Sequence, residues 1–346
     1  MLSKLTIIIP TRNREKSINV QANYLKGWGS EIFILDGSNK LNSYLNNLSK
    51  EYSHITYVHD TKGFFERFEH VKNKIKTKYS MLMPDDEFFV KKSLEMCVDF
   101  LENNNEYVSC SGTAIGFMKS LEKKVIYKEI YPRLVGYEIS ANNPKNRVID
   151  HMSKYVPCSV YGVVQSRVLN KFIKELEYSK TSCTETIECW HQCTTAYMGK
   201  IMVLPVLYWF RNLHVSPVQD KNWNRSLKFY KWFNEKKFKE EREKYIKNFC
   251  MLNNENLISF FKTALSNFSK DLNKKKGQGT IKLVIRLFIK RSINLFLRKL
   301  RLSKILARKN ESSFFDFDVL QTFLSQKKII YDIKSIKDIE QNFLKQ

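Results

Sequence analysis

Three consecutive carboxylates, Asp85-Asp86-Glu87, follow a short apolar run, Tyr79–Met83, with only Pro84 between. Like charges this close raise one another's pKa values unless a cation or hydrogen-bond donors neutralise them. Among oxygen ligands the usual neutraliser is a hard divalent ion, Mg²⁺ or Mn²⁺. Such an ion takes one or two carboxylates and completes its shell with phosphate oxygens and water. When it bridges a diphosphate, it stabilises the charge that grows on the phosphate as it leaves. The triplet therefore suits a reaction whose leaving group is a nucleoside diphosphate. A second acidic pair, Glu185 and Glu188, falls at i and i+3 in a helix-like segment, so both side chains share one side of it. Facing a cleft, either could act as a general base toward a hydroxyl; facing solvent, they are an ordinary helix surface.

The elements that must position these groups alternate in type. Leu5–Ile9 is a β-branched run closed by Pro10, and Ile32–Leu35 ends abruptly in Asp36-Gly37-Ser38. Helix-compatible stretches lie at Arg14–Leu25, Ser43–Glu51 and Phe64–Lys76, with further strands at Ile55–Val58 and Tyr79–Met83. Strands alternating with single helices imply βαβ crossovers and a mostly parallel sheet. Ligands of such sheets bind beyond the carboxyl ends of the strands. Pro10-Thr11-Arg12, Asp36-Gly37-Ser38 and Asp85-Asp86-Glu87 all fall at those ends. Each alone reads as a turn or a cap. Together they converge on one rim. Farther along, the pattern predicts strands at Tyr107–Ser111, Ser159–Val164 and Lys200–Phe210. Helices are expected at Arg147–Tyr155, Arg167–Glu177 and Glu185–Met198, the last stopped by Gly199.

The segments Ile7–Arg14, Ile34–Ser38 and Leu82–Phe88 resemble the three N-terminal signatures of glycosyltransferase family 2. The resemblance is nearest to a bacterial branch whose acidic motif reads Asp-Asp-Asp-Phe, from which this chain departs at Glu87. It implies an α/β GT-A fold, Rossmann-like with a mostly parallel sheet flanked by helices, over residues 1–219. It also implies a nucleotide pocket lined by Pro10, Thr11 and Arg12, with Asp36 toward base or ribose. Asp85, Asp86 and Glu87 would stand at the metal–diphosphate position, with Mg²⁺ or Mn²⁺ as the ion. Counting back from Gly199-Lys200 as in that branch makes Glu188 the base of an inverting transferase, with Glu185 as runner-up. Arg211 and His214 resemble its Arg-x-x-His loop, Arg for phosphate and His for the metal.

Composition constrains the rest. The 346 residues carry a net charge of +24, spread unevenly. Lys and Arg exceed Asp and Glu by 7 over residues 1–219 and by 17 over residues 220–346. A basic second part points to a polyanionic partner. From residue 272 to residue 310 there are thirteen Lys or Arg and no acidic residue. Within 280–309, Lys282, Arg286 and Lys290 recur at i+4, and so do Ile281, Ile285 and Ile289. That is the pattern of a basic amphipathic helix lying on an anionic membrane surface; a helix packed on the core with a solvated basic face is the plainer reading. No sequence resembles a nucleic-acid-binding motif. Cys183, Cys189, His191 and Cys193 lack the paired spacing of a zinc knuckle, and the seven cysteines read as buried thiols of a reducing compartment.

The expectation is thus a cytoplasmic enzyme held peripherally on the inner face of the membrane by a helical basic C-terminal region, 220–346. It would move a sugar from a nucleotide-sugar donor to a glycan or lipid-linked glycan acceptor of lipopolysaccharide or capsule type. Nucleotidyl transfer is the alternative chemistry, although Pro10–Arg14 lacks the glycine-rich loop it usually shows. A non-catalytic membrane or nucleic-acid binder on a degenerate scaffold is the alternative class.

Overall fold

The computed structural model describes residues 1–120, 122–213, 227–253, 258–272 and 314–345. The opening apolar run forms β1 (Leu5–Thr11), followed by α1 (Glu15–Leu25), β2 (Glu31–Asp36), α2 (Ser43–Glu51) and β3 (Ile55–His59). A single turn, α3 (Phe64–Arg67), leads to β4 (Tyr79–Leu82), the two-residue β5 (Phe88–Phe89) and α4 (Lys91–Asn103). Then come β6 (Tyr107–Lys119), β7 (Val125–Glu129), β8 (Glu138–Ile139), α5 (Pro144–Ser153), β9 (Val163–Gln165) and α6 (Ser166–Glu175). Helix α7 (Glu185–Met198) enters β10 (Lys200–Asn212), and α8 (Phe229–Asn234) and α9 (Lys239–Leu252) follow. Further helices run over 258–272, Phe317–Gln326 and Ile333–Lys345.

The strands form one sheet in the order β3-β2-β1-β4-β9-β6-β10-β5, with β7 beside β6 and β8 beside β10. Strand β1 runs parallel to β2 and β4, with Thr11 opposite Asp36 and Ile8 opposite Leu82. The three polar segments therefore do leave the sheet at one end. Ile7, Ile8 and Ile9 are completely buried, as a parallel strand covered on both faces requires.

Several elements depart from expectation for identifiable reasons. Phe64–Lys76 is not one helix: α3 gives way to a 3₁₀ turn at Phe68–His70, and Asn73 is left-handed (φ 63°). The Arg67 side chain, only 2% exposed, donates through Nη1 to the carbonyls of Thr11 (2.6 Å) and Leu35 (2.5 Å). It thereby closes the ends of β1 and β2. Gly37 is what leaves it room, since a Cβ there would lie 2.7 Å from the guanidinium carbon. Strand β6 runs well beyond Ser111 because its second half pairs with β7 and β10, partners that no local pattern reveals. The expected strand Ser159–Val164 shrinks to Val163–Gln165. Helix α7 has the expected bounds, and Gly199 ends it where a Cβ would meet Val108 at 2.3 Å.

Arg67→Ala should destabilise the fold by about 2–4 kcal/mol, because two buried carbonyls lose a charged donor and a buried side chain is emptied. Urea unfolding measures it, and a loss below about 1 kcal/mol would mean that water replaces the guanidinium.

The C-terminal helices join the same sheet. Leu320, Leu324, Ile336, Ile339 and Phe343 pack with Phe88, Phe117, Tyr127 and Phe210 in a second core. Ile330 N donates to Pro205 O (2.7 Å), and Leu207 N to Ile330 O (2.8 Å). Residue Phe229 and residues Trp232, Tyr245, Phe261 and Phe268 belong to the main core. The described parts of 227–345 are thus packed onto the α/β unit. All seven cysteines are buried free thiols. Among the described residues no helix is long and apolar enough to cross a membrane. The basic segment 280–309 lies outside the described residues.

Candidate active site

The carboxyl end of the sheet opens into a cleft of about 830 Å³. Its wall includes Pro10, Thr11 and Arg12 from the end of β1, Asp85, Asp86 and Glu87 from the β4–β5 turn, Glu185 and Glu188 from α7, and Arg211 from β10. Groups from four separate parts of the chain thus meet in one concavity. Asp36 is not among them. It is 1% exposed and accepts hydrogen bonds from Ser38 N (2.8 Å) and Tyr57 OH (2.8 Å), which lock the β2 turn. His214 lies outside the described residues.

Acidic neighbours repel, and here each carboxylate is given a different partner. Asp85 accepts from Thr11 Oγ1 (2.7 Å) and Arg14 Nη1 (2.7 Å), and the same Arg14 nitrogen lies 3.0 Å from Asp86. Gln21 holds the turn's backbone, donating to the carbonyls of Pro84 (2.5 Å) and Glu87 (2.9 Å). Glu87 points away from the pair and accepts from Trp209 Nε1 (2.5 Å), with Arg211 3.9 Å off. Burial pushes the Glu87 pKa up to about 8. Arg211 pulls it back, and Asp86 and Asp85 add to the rise.

That shift makes stability depend on pH. The folded chain holds this proton more tightly than the unfolded chain, whose pKa is near 4.5. The stabilisation is complete below pH 4.5 and is lost as the pH rises to about 8. Glu87→Gln, neutral throughout, should match wild type near pH 5 and exceed its Tm by about 3 °C or more at pH 8.5. Melting curves at the two pH values measure this, and equal differences at both would mean that Glu87 is ionised in the fold.

Asp85 and Asp86 present hard oxygens, but among the described residues no three His, Cys, Asp or Glu side chains converge as a metal cage. With Glu87 turned to Trp209, the donor set fits an ion held chiefly by Asp86 together with the oxygens of a bound diphosphate. It does not fit a triple-carboxylate cage.

The two α7 carboxylates also differ. Glu185 accepts from Phe229 N (2.7 Å) at the start of α8 and lies 3.1 Å from Lys228 Nζ. Glu188 accepts from the hydroxyl of Tyr155, whose pKa burial raises well above its ordinary value. Glu185 ties one loop to another, and Glu188 meets a neutral phenol at the cleft wall.

Sequence reasoning missed other wall residues: Arg14, Lys228, His191, Tyr131 and Tyr161. Burial pushes the His191 pKa down to about 4, so its imidazole is neutral at ordinary pH. Arg14 directly follows the Pro10–Asn13 stretch, so its place was within reach of a motif reading. Nothing local marks Tyr131. It is left-handed (φ 48°, ψ 53°) although Pro132 follows, a conformation a bulky residue adopts at a cost of about 1–3 kcal/mol.

Comparison with known proteins bears on this cleft directly. Residues 6–159 match the family described as Glycosyl transferase family 2. The match spans a little under half of the chain and takes in both the β1 rim and the acidic triplet. Over those residues the chain is similar to that family, on the mostly parallel, helix-flanked sheet expected of it. Among curated protein sequences, none matches the chain. Similar solved structures include S. aureus TarS 1–349, at 12% identity and a TM-score of 0.43 over 79% of this chain and 91% of that one. The same TarS fragment in complex with UDP-GlcNAc gives 12% identity and 0.44, over 79% and 92%. Mannosyltransferase PcManGT from Pyrobaculum calidifontis, in complex with GDP-Man and Mn²⁺, gives 12% and 0.41, over 88% and 84%. Likenesses this loose carry no functional conclusion.

Proposed function

We propose that the protein transfers a sugar from a nucleotide-sugar donor to a hydroxyl of a glycan acceptor, with inversion at the anomeric carbon. The observation that carries this reading is the meeting in one cleft of the β1 rim, the Asp85–Asp86 pair and Glu188. Pro10, Thr11 and Arg12 would line the nucleotide. Arg14, Arg211 and Lys228 border the same space, and their guanidinium and ammonium donors suit a diphosphate. Asp86, with the diphosphate oxygens, would hold Mg²⁺ or Mn²⁺. Such an ion supplies charge neutralisation for the leaving nucleoside diphosphate.

The acceptor hydroxyl would lie between the anomeric carbon and Glu188. As its oxygen bonds to that carbon, the bond to the phosphate breaks and the hydroxyl proton passes to Glu188. Tyr155, kept protonated by burial, donates to Glu188 and aims its carboxylate. Glu185, whose carboxylate ties Phe229 N and Lys228 into the start of α8, is the runner-up base. The acceptor proposed is a surface glycan precursor at an anionic membrane, a reading that rests on the basic sequence 274–309.

Calorimetric titration with UDP-, GDP-, dTDP- and CMP-sugars tests the donor class. Binding of at least one in the micromolar to millimolar range is expected, weakened about tenfold or more by Arg14→Ala. No binding by any of the four would end the proposal.

A further inference from the structure

We infer that Tyr131, backed by Trp209 and Tyr161, forms the subsite that receives a sugar ring of the acceptor. The inference rests on the transfer reaction proposed above and adds the place where the second substrate sits.

Among the described residues five non-glycines have positive φ: two asparagines, two lysines and Tyr131. Asparagine tolerates that region, and long lysines reach solvent from it. A tyrosine preceding a proline has neither excuse, so its neighbours must impose the conformation. They do so from the C-terminal side. Leu134 N donates to Tyr131 O (2.9 Å), Leu134 is buried, and Arg133 pairs with the buried Asp271 (2.8 Å). The result is a strained residue whose half-buried ring is set into the cleft wall.

The ring is also supported from behind. It stacks on Trp209 at 5.7 Å between centroids and 18° between planes. Trp209 is 3% exposed, is fixed through Nε1 to Glu87, and carries Tyr161 at 5.1 Å on its flank. The Arg211 guanidinium lies 5.3 Å from the Tyr131 ring and 5.8 Å from that of Trp209, bounding the stack with a cation. A fixed aromatic surface in a cleft otherwise rich in charged groups suits a ligand with one apolar face and a polar rim. A pyranose ring is such a ligand: its axial C–H bonds pack on a π face while its hydroxyls reach outward.

Connectivity separates this platform from the nucleotide. Asp85 is bonded to Thr11 and Arg14 on the β1 side of the turn, and Glu87 to Trp209 on the β10 side. The aromatic stack therefore adjoins the far end of the triplet from Pro10–Arg12. A sugar on Tyr131 would sit beside the reacting carbon, not over the base.

Saturation-transfer NMR on the full chain with methyl glucoside, methyl galactoside and methyl N-acetylglucosaminide tests the assignment without any turnover. Wild type should saturate the ring C–H protons of at least one glycoside. Tyr131→Phe should keep the signal and Tyr131→Ala should reduce it about fivefold or more, with UDP and GDP affinities unchanged. Tyr131→Gly removes the ring and relieves the backbone at once, so it should lose the signal with no fall in Tm. A signal that wild type never gives, or that survives in the Ala and Gly variants, overturns the assignment. So does a loss of nucleotide affinity in Tyr131→Ala, which would give the platform to the nucleobase. Failure of wild type to consume any nucleotide sugar is a separate result and sinks the transfer reading itself.

Discussion

Asp86→Ala should lower sugar transfer by a factor of about 10³, close to 4 kcal/mol of transition-state stabilisation, while the fold keeps nearly all of its stability. Asp86 lines the cleft, with 15% of its side chain exposed. Arg14, which pairs with it, is bonded to Asp85 as well. Removing Asp86 therefore leaves Arg14 paired with Asp85. It also relieves repulsion within the triplet. The lost function would be the proposed one, meeting a diphosphate and its ion. Asp85→Ala should behave differently and unfold more easily, because Thr11 and Arg14 both donate to that carboxylate. Initial rates and melting temperatures of the two variants measure the contrast. Near-normal turnover by Asp86→Ala at saturating donor would remove the triplet from the chemistry.

Glu188→Gln should retain donor binding and lower kcat by a factor of about 10² or more, because the amide keeps the shape and loses the proton acceptor. Glu185→Gln should mainly cost stability, of order 1 kcal/mol, since its carboxylate serves Phe229 N and Lys228. Single-turnover rates with donor bound separate the two. If Glu185→Gln stops the reaction and Glu188→Gln does not, the base stands one helical turn earlier than proposed.

How much of this could be read from sequence depends on how local the cause was. The β1, β2 and β4 rims were legible because an apolar β-branched run cut off by Pro10 or Asp36 has one simple reading in a parallel sheet. The bounds of α7 were legible because Gly199 stops it. Arg67 was not: a basic residue in a helix-like stretch reads as surface, and only the approach of two strand ends makes it a buried clasp. The triplet was recognised as a unit, yet its division among Thr11, Arg14 and Trp209 depends on β10, more than 120 residues away. Tyr131 had no local signal, because the groups that hold it and its neighbours, Trp209 behind the ring and Asp271 on Arg133, come from distant parts of the chain. The attachment of Phe317–Gln326 and Ile333–Lys345 to the sheet was equally hidden. Their pattern marks amphipathic helices but not the Phe117–Phe210 surface that receives them.

The most direct test of the central claim is nucleotide release. The purified full chain, with Mg²⁺ or Mn²⁺, is incubated with UDP-, GDP-, dTDP- and CMP-sugars, and free nucleotide is measured with wild type and Asp86→Ala side by side. One donor should be consumed by wild type, at a rate that rises on adding a glycan acceptor, and Asp86→Ala should stay at background. No donor consumed by wild type, or equal consumption by both proteins, would contradict the account.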